Sequence, residues 1–69
     1  MKITKKVNLD IQPMIGDNAF ALLGAFRKQA KREDWSTEEI KIVMDDAISG
    51  DYDHLVCVID EHTEMKGAQ

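Results

Sequence analysis

The 69-residue chain has a single cysteine, a single proline and no apolar run longer than about five residues. One thiol cannot close an internal disulfide, and no secretory hydrophobic segment is present, which points to a reducing cytoplasm. Runs this short fall far below the roughly 20 apolar residues that cross a bilayer, so no membrane role is expected. Neither a P-loop nor a GxGxxG motif occurs, which removes two familiar phosphate cradles. Repeats, linkers and low-complexity stretches are also missing, so residues 1–69 read as one domain. A chain of this size buries only about 60% of the surface its unfolded form exposes. That leaves little room for a deep catalytic cleft.

What the chain does have is charge, and the charge is divided. Residues 1–32 carry seven basic and two acidic residues, a net of +5. Residues 33–69 carry two basic and eleven acidic residues, a net of −9, which together give the overall −4. Such a dipolar chain can pair its own halves or orient a partner.

Residues 3–11 alternate, with Ile3, Val7, Leu9 and Ile11 on one side and Lys5 interrupting that side. Period two predicts a half-buried strand, which Pro13 ends for want of an N–H. A first helix is predicted over 18–32, capped by Asp17 or Asn18, with Ala19, Leu22, Leu23, Phe26 and Ala30 as its core stripe. Phe20 lies off that stripe. Ala21, Gly24 and Ala25 make a smooth flank suited to close packing, with the N-terminal strand as the expected neighbour. Arg27, Lys28, Lys31 and Arg32 crowd the last turn, where cations meet the negative end of the helix dipole.

Ser36-Thr37-Glu38-Glu39 reads as a capping box, with Trp35 and Ile40 placed as a hydrophobic staple. The second helix is predicted over 37–49, its core side formed by Ile40, Val43, Met44, Ala47 and Ile48, with Gly50 as a left-handed closing residue. Asp51 then caps a third helix over 52–64, with Tyr52, Leu55, Val56 and Ile59 buried. Residues 65–69 read as a frayed tail. The fold class is mainly α: an N-terminal strand or extended arm, then a three-helix bundle. Nothing else reads as a β-partner, and a lone strand leaves its backbone unpaired. A homodimer built on a two-stranded ribbon is therefore expected.

Several chemistries can be weighed. The second and third helices are spaced like a helix-turn-helix, but the third carries Asp53, Asp60, Glu61 and Glu64 and no base, so DNA phosphates would be repelled. Nucleic-acid binding is not expected. His54 and His62 are two turns apart, whereas zinc pairs on one helix sit three or four residues apart, so no metal site is expected. Cys57 lies among carboxylates that suppress a thiolate. No nucleophile, base and orienting group come together, so no enzyme and no cofactor are implied. Ile42 points away from the core side, among Glu38, Glu39, Asp45 and Asp46, as an apolar anchor for a basic partner would. The helix starts at Asn18 and Asp51 offer free N–H groups that attract anions, although cap carboxylates can occupy them.

Two segments are distinctive: Gly16-Asp17-Asn18-Ala19-Phe20-Ala21-Leu22-Leu23-Gly24-Ala25-Phe26 and Ser49-Gly50-Asp51-Tyr52-Asp53-His54-Leu55. With the basic helix end and the Trp-Ser helix start, they resemble a group of short, largely uncharacterised proteins of phages, prophages and bacterial genomes. The similarity runs over roughly residues 7–59. It implies an accessory, mobile-element role and carries no catalytic residue with it. A ligand site shared by that group would draw on Asn18, Phe20, Asp51, Tyr52, Asp53 and His54. The leading expectation is a non-enzymatic module that binds a protein partner through its acidic helices. The alternative is an oligomeric binder of a nucleotide or other anionic ligand.

Overall fold

The computed structural model describes residues 5–64. Residues 3 and 4 of the expected strand, and the expected frayed tail at 65–69, lie outside the described residues. In chain order come β1 (Val7–Asn8), a 3₁₀ turn over Gln12–Met14, α1 (Ala19–Arg32), α2 (Thr37–Ala47), α3 (Tyr52–Glu61) and β2 (Thr63–Glu64). The three helices pack around one apolar core, and the strands lie side by side at its edge.

Local chemistry sets the helix boundaries. Asn18 Oδ1 accepts from the Phe20 N–H at 2.7 Å and caps α1. Ser36 and Glu39 exchange their capping-box bonds at 2.8 and 3.1 Å. Asp51 caps α3 by accepting from the His54 N–H at 2.9 Å. At the far end of α1 the chain turns through Asp34, whose φ is +67°. The Trp35 N–H then reaches back to the Ala30 carbonyl at 3.0 Å, and the Asp34 N–H to Lys31 at 3.2 Å. This is a Schellman closure with aspartate in the position that usually takes glycine. It swings Trp35 into the core, edge-on to Phe26 at 5.5 Å.

The core contains Leu22, Leu23, Phe26 and Ala30 of α1, Ile40, Val43 and Ala47 of α2, and Leu55, Val58 and Ile59 of α3. Val7 and Ile11 close it from the N-terminal side. On α3 the buried stripe is Leu55, Val58 and Ile59, continued by His62 just past the helix end; Leu55 and Ile59 are buried as predicted, and Val58 takes the place expected of Val56. Tyr52 and Val56 only flank it. On α2, Ile48 is 60% exposed instead of buried, because the helix stops at Ala47 and Ile48 caps it with non-helical geometry.

Two further expectations are corrected. The third helix ends at Glu61, not 64, and the next residues form β2, which pairs in parallel with β1. The Val7 N–H donates to the His62 carbonyl at 2.8 Å and the Leu9 N–H to Glu64 at 3.1 Å. Between them the Asn8 N–H donates to the Glu33 carboxylate at 2.7 Å. The N–H groups of Val7, Asn8 and Leu9 thus all find acceptors within one chain, and the argument for a ribbon dimer from a strand with no β-partner falls. Nor is Gly50 left-handed: among the described glycines only Gly16 has positive φ, at +100°. Gly50 is needed for space instead, since a Cβ there would sit 2.9 Å from Cβ and Cγ of His54.

The interruption at Lys5 has a structural reason. Its ammonium lies 5.6 Å from the centre of the Trp35 ring and 2.8 Å from Glu39 Oε2. It covers Trp35 at the core margin and ties the N-terminal arm to the start of α2.

Candidate functional site

The two distinctive segments meet in space. Tyr52, at the start of α3, donates its hydroxyl to the Asp17 carbonyl at 2.8 Å and accepts from the Gly16 N–H at 2.9 Å. The turn before α1 is thereby pinned to the turn before α3. His54 links the same turn to α2: its Nε2 lies 2.9 Å from the Asp46 carbonyl, 3.3 Å from Asp46 Oδ1 and 3.4 Å from Ser49 Oγ. Of the proposed ligand set, Asn18 and Asp51 act as caps, Tyr52 as a staple and His54 as a clamp. Asp53 stays exposed. Phe20 is 80% exposed and borders a depression of about 260 Å³ with Ile48, Gly50 and Tyr52.

The acidic candidates lie on the outer side of α2. Ile42 is half-buried in a shallow depression of about 410 Å³ that it shares with Thr37, Glu38, Lys41 and Asp45. Lys41 bonds Asp45 at 2.8 Å, one turn along, Asp46 faces His54, and Glu39 pairs with Lys5, so three of the four acids around Ile42 have partners. Asp45 pulls the Lys41 ammonium above its ordinary value, and Glu38 adds to the effect. Glu39 turns toward the N-terminal arm. The Lys5 ammonium, with the Ser36 N–H, holds its carboxyl below the usual range. Glu38 remains exposed.

A third feature was not legible in the sequence. Between α1 and α2 runs an apolar groove of about 590 Å³, floored by Leu23, Gly24, Ile40 and Met44. Phe20 and Ile48 stand at one end of it, and Arg27, Lys31 and Lys41 at the other. The strand was expected to cover the Gly24 flank. Instead the flank is open, and a Cβ on Gly24 would meet nothing within 4 Å. The signal that could have found this groove is Phe20 itself, an aromatic off the core stripe one turn from a mid-helix glycine.

The remaining reactive groups have ordinary settings. Cys57 is exposed. His62 is 8% exposed, and its Nδ1 donates to the Val58 carbonyl at 2.8 Å, which makes it a closing residue of α3. Among the described residues no buried side-chain nitrogen or oxygen is without a partner. Among them no cluster of three metal-ligating side chains occurs, and no helix is long and apolar enough to cross a membrane. No protein-family model matches the chain, and no curated protein or solved structure shows significant similarity to it.

Proposed function

We propose that this chain is a non-enzymatic accessory protein, of phage or mobile-element type, that binds a basic protein surface through the acidic side of α2 and α3. One observation carries the reading. Glu38, Asp45 and Asp46 of α2 and Asp53, Asp60 and Glu61 of α3 are all exposed, and Lys41 is the only lysine or arginine on either helix. Exposed charge of one sign steers association with the opposite sign and raises its rate. Ile42 supplies an apolar contact inside that field, as interface anchors do. An acidic face of this kind competes with nucleic acid for a basic protein. The test is capture from host lysate by the wild-type chain and by the double variant Ile42→Arg, Asp45→Lys, with circular dichroism to check the fold. Loss of basic partners from the double variant is expected. Identical partner sets for the two proteins reject this surface.

A further inference from the structure

The groove between α1 and α2 is built like a seat for a third helix. Its α1 wall is the row Phe20, Gly24, Arg27 and Lys31, at i, i+4, i+7 and i+11. Its α2 wall is the row Thr37, Lys41, Met44 and Ile48, at the same spacing. Alternating steps of four and three residues mark a seam along which one helix receives another. From Phe20 to Lys31 the seam rises about 16 Å at 1.5 Å per residue, which is three turns of an occupant helix. The trough is open. Phe20 and Ile48 are 80% and 60% exposed on its rim, and nothing lies within 4 Å of a Cβ built on Gly24. Whatever fills it keeps one side in water, so the occupant needs an apolar side and a polar back. An amphipathic helix has both, and a hydrocarbon chain has no polar back.

Charge orders the seat along its length. Phe20, Gly24, Met44 and Ile48 make one half apolar, and Arg27, Lys31 and Lys41 make the other cationic. Asp45, the one acid among the described wall residues, is tied to Lys41 at 2.8 Å. Arg27 and Lys31 are exposed, and neither side chain bonds to another described residue, in a chain whose net charge is −4. We infer that the α1–α2 groove docks an amphipathic helix of a partner protein, whose contact seam is apolar in one half and carries Asp or Glu in the other. Its apolar side chains pack on Phe20 and into the gap at Gly24. Its carboxylates meet Arg27 and Lys31 in charge-assisted bonds. A second copy docked seam to seam would bring the same cations and no free acid to answer them. A mid-helix glycine weakens an isolated helix. Here its missing side chain is the hole that takes a partner's knob. The inference does not rest on the acidic surface of α2 and α3, which selects partners of the opposite charge.

A display library of helical peptides about 18 residues long, randomised along one seam and panned on the full chain, tests the seat. Enriched peptides should carry apolar residues in one half of the seam and Asp or Glu in the other. Gly24→Leu fills the gap, and since a Cβ there meets none of the chain's own atoms it should fold, with circular dichroism as the check. It should weaken the enriched peptides at least about tenfold, as Phe20→Ser should. Arg27→Glu with Lys31→Glu should weaken them by a similar factor and should enrich Lys or Arg in place of the acids when panned in turn. Failure to enrich any peptide overturns the inference. So do enriched peptides without an acidic half, or ones that bind Gly24→Leu as well as they bind the wild type. A wild type that self-associates in sedimentation equilibrium, where Gly24→Leu stays monomeric, gives the groove to a second copy and also overturns it. None of these substitutions touches the acidic surface, so failure here leaves the reading of that surface in place.

Discussion

Single side chains at turns carry much of this fold, and Gly50 and His54 are the clearest pair. The glycine is there because the His54 ring occupies the space its Cβ would take, and the ring is there because it reaches the Asp46 carbonyl. Gly50→Ala should push the ring off Asp46 and cost about 1–2 kcal/mol. His54→Ala alone should cost about 1 kcal/mol through the lost bond. Because the two act through one contact, the double variant should cost less than the sum, by at least ~0.5 kcal/mol in urea unfolding. Strict additivity would refute the shared contact. Asp34 offers the opposite case. Its φ of +67° is strained for a residue with a Cβ, so Asp34→Gly should leave stability unchanged or raise it. Asp34→Val should lower the midpoint by about 1–2 kcal/mol equivalent. Equal midpoints for the glycine and valine variants would show that the turn is not held as described.

The caps of all three helices were legible because each is written within four residues: Asp17 or Asn18 before an apolar stripe, of which the structure uses Asn18, Ser36 with Glu39, and Asp51 before Tyr52. Such signals depend on local backbone geometry alone. The pairing of Thr63–Glu64 with Val7–Asn8 was not legible. Two residues are too few to show alternation, and they look like one more turn of α3. The burial of Val58 and the exposure of Ile48 escaped for a related reason. Periodicity gives a stripe, but the neighbouring helices decide which edge of it is covered. The Gly24 flank shows the same limit, being smooth in the sequence and open in the structure. The start of α2 adds a prediction in pH. Glu39 is held below its ordinary value by Lys5 and the Ser36 N–H. Around pH 4 the unfolded chain therefore binds more protons there than the folded one. The contribution is complete above about pH 4.3, the unfolded carboxyl value, and is lost as pH falls through the lower folded one. Glu39→Gln keeps an acceptor for Ser36 and loses the titration. Its stability should fall less steeply between neutral pH and pH 3 than that of the wild type. Parallel curves for the two proteins would exclude a role for this carboxyl.

The described chain closes on itself: the segment before α1 pairs with the segment after α3, and both lie against the core. His62 and Thr63 are 8% and 7% exposed, and the His62 and Glu64 carbonyls take the Val7 and Leu9 N–H groups. Val7 and Ile11, almost wholly buried, keep their cover through this arrangement. A domain of this size has about 3–10 kcal/mol of stability in all. Removing everything after Glu61 deletes the bonds from the Val7 and Leu9 N–H groups to His62 and Glu64 and the bonds from His62 and Thr63 back onto α3, and uncovers apolar surface around Val7. Together these should cost about 2–4 kcal/mol. With a urea slope near 1 kcal/mol/M for so small a protein, the midpoint should fall by about 2–4 M. The truncated chain should also unfold less sharply, since the N-terminal arm would no longer be tied to α3. Had residues 62–64 been the last turn of a helix leading into a loose tail, the same truncation would barely move the curve. A midpoint unchanged by it would mean that β1 is held by α1 and Glu33 alone, and that the two-stranded closure contributes nothing to the fold.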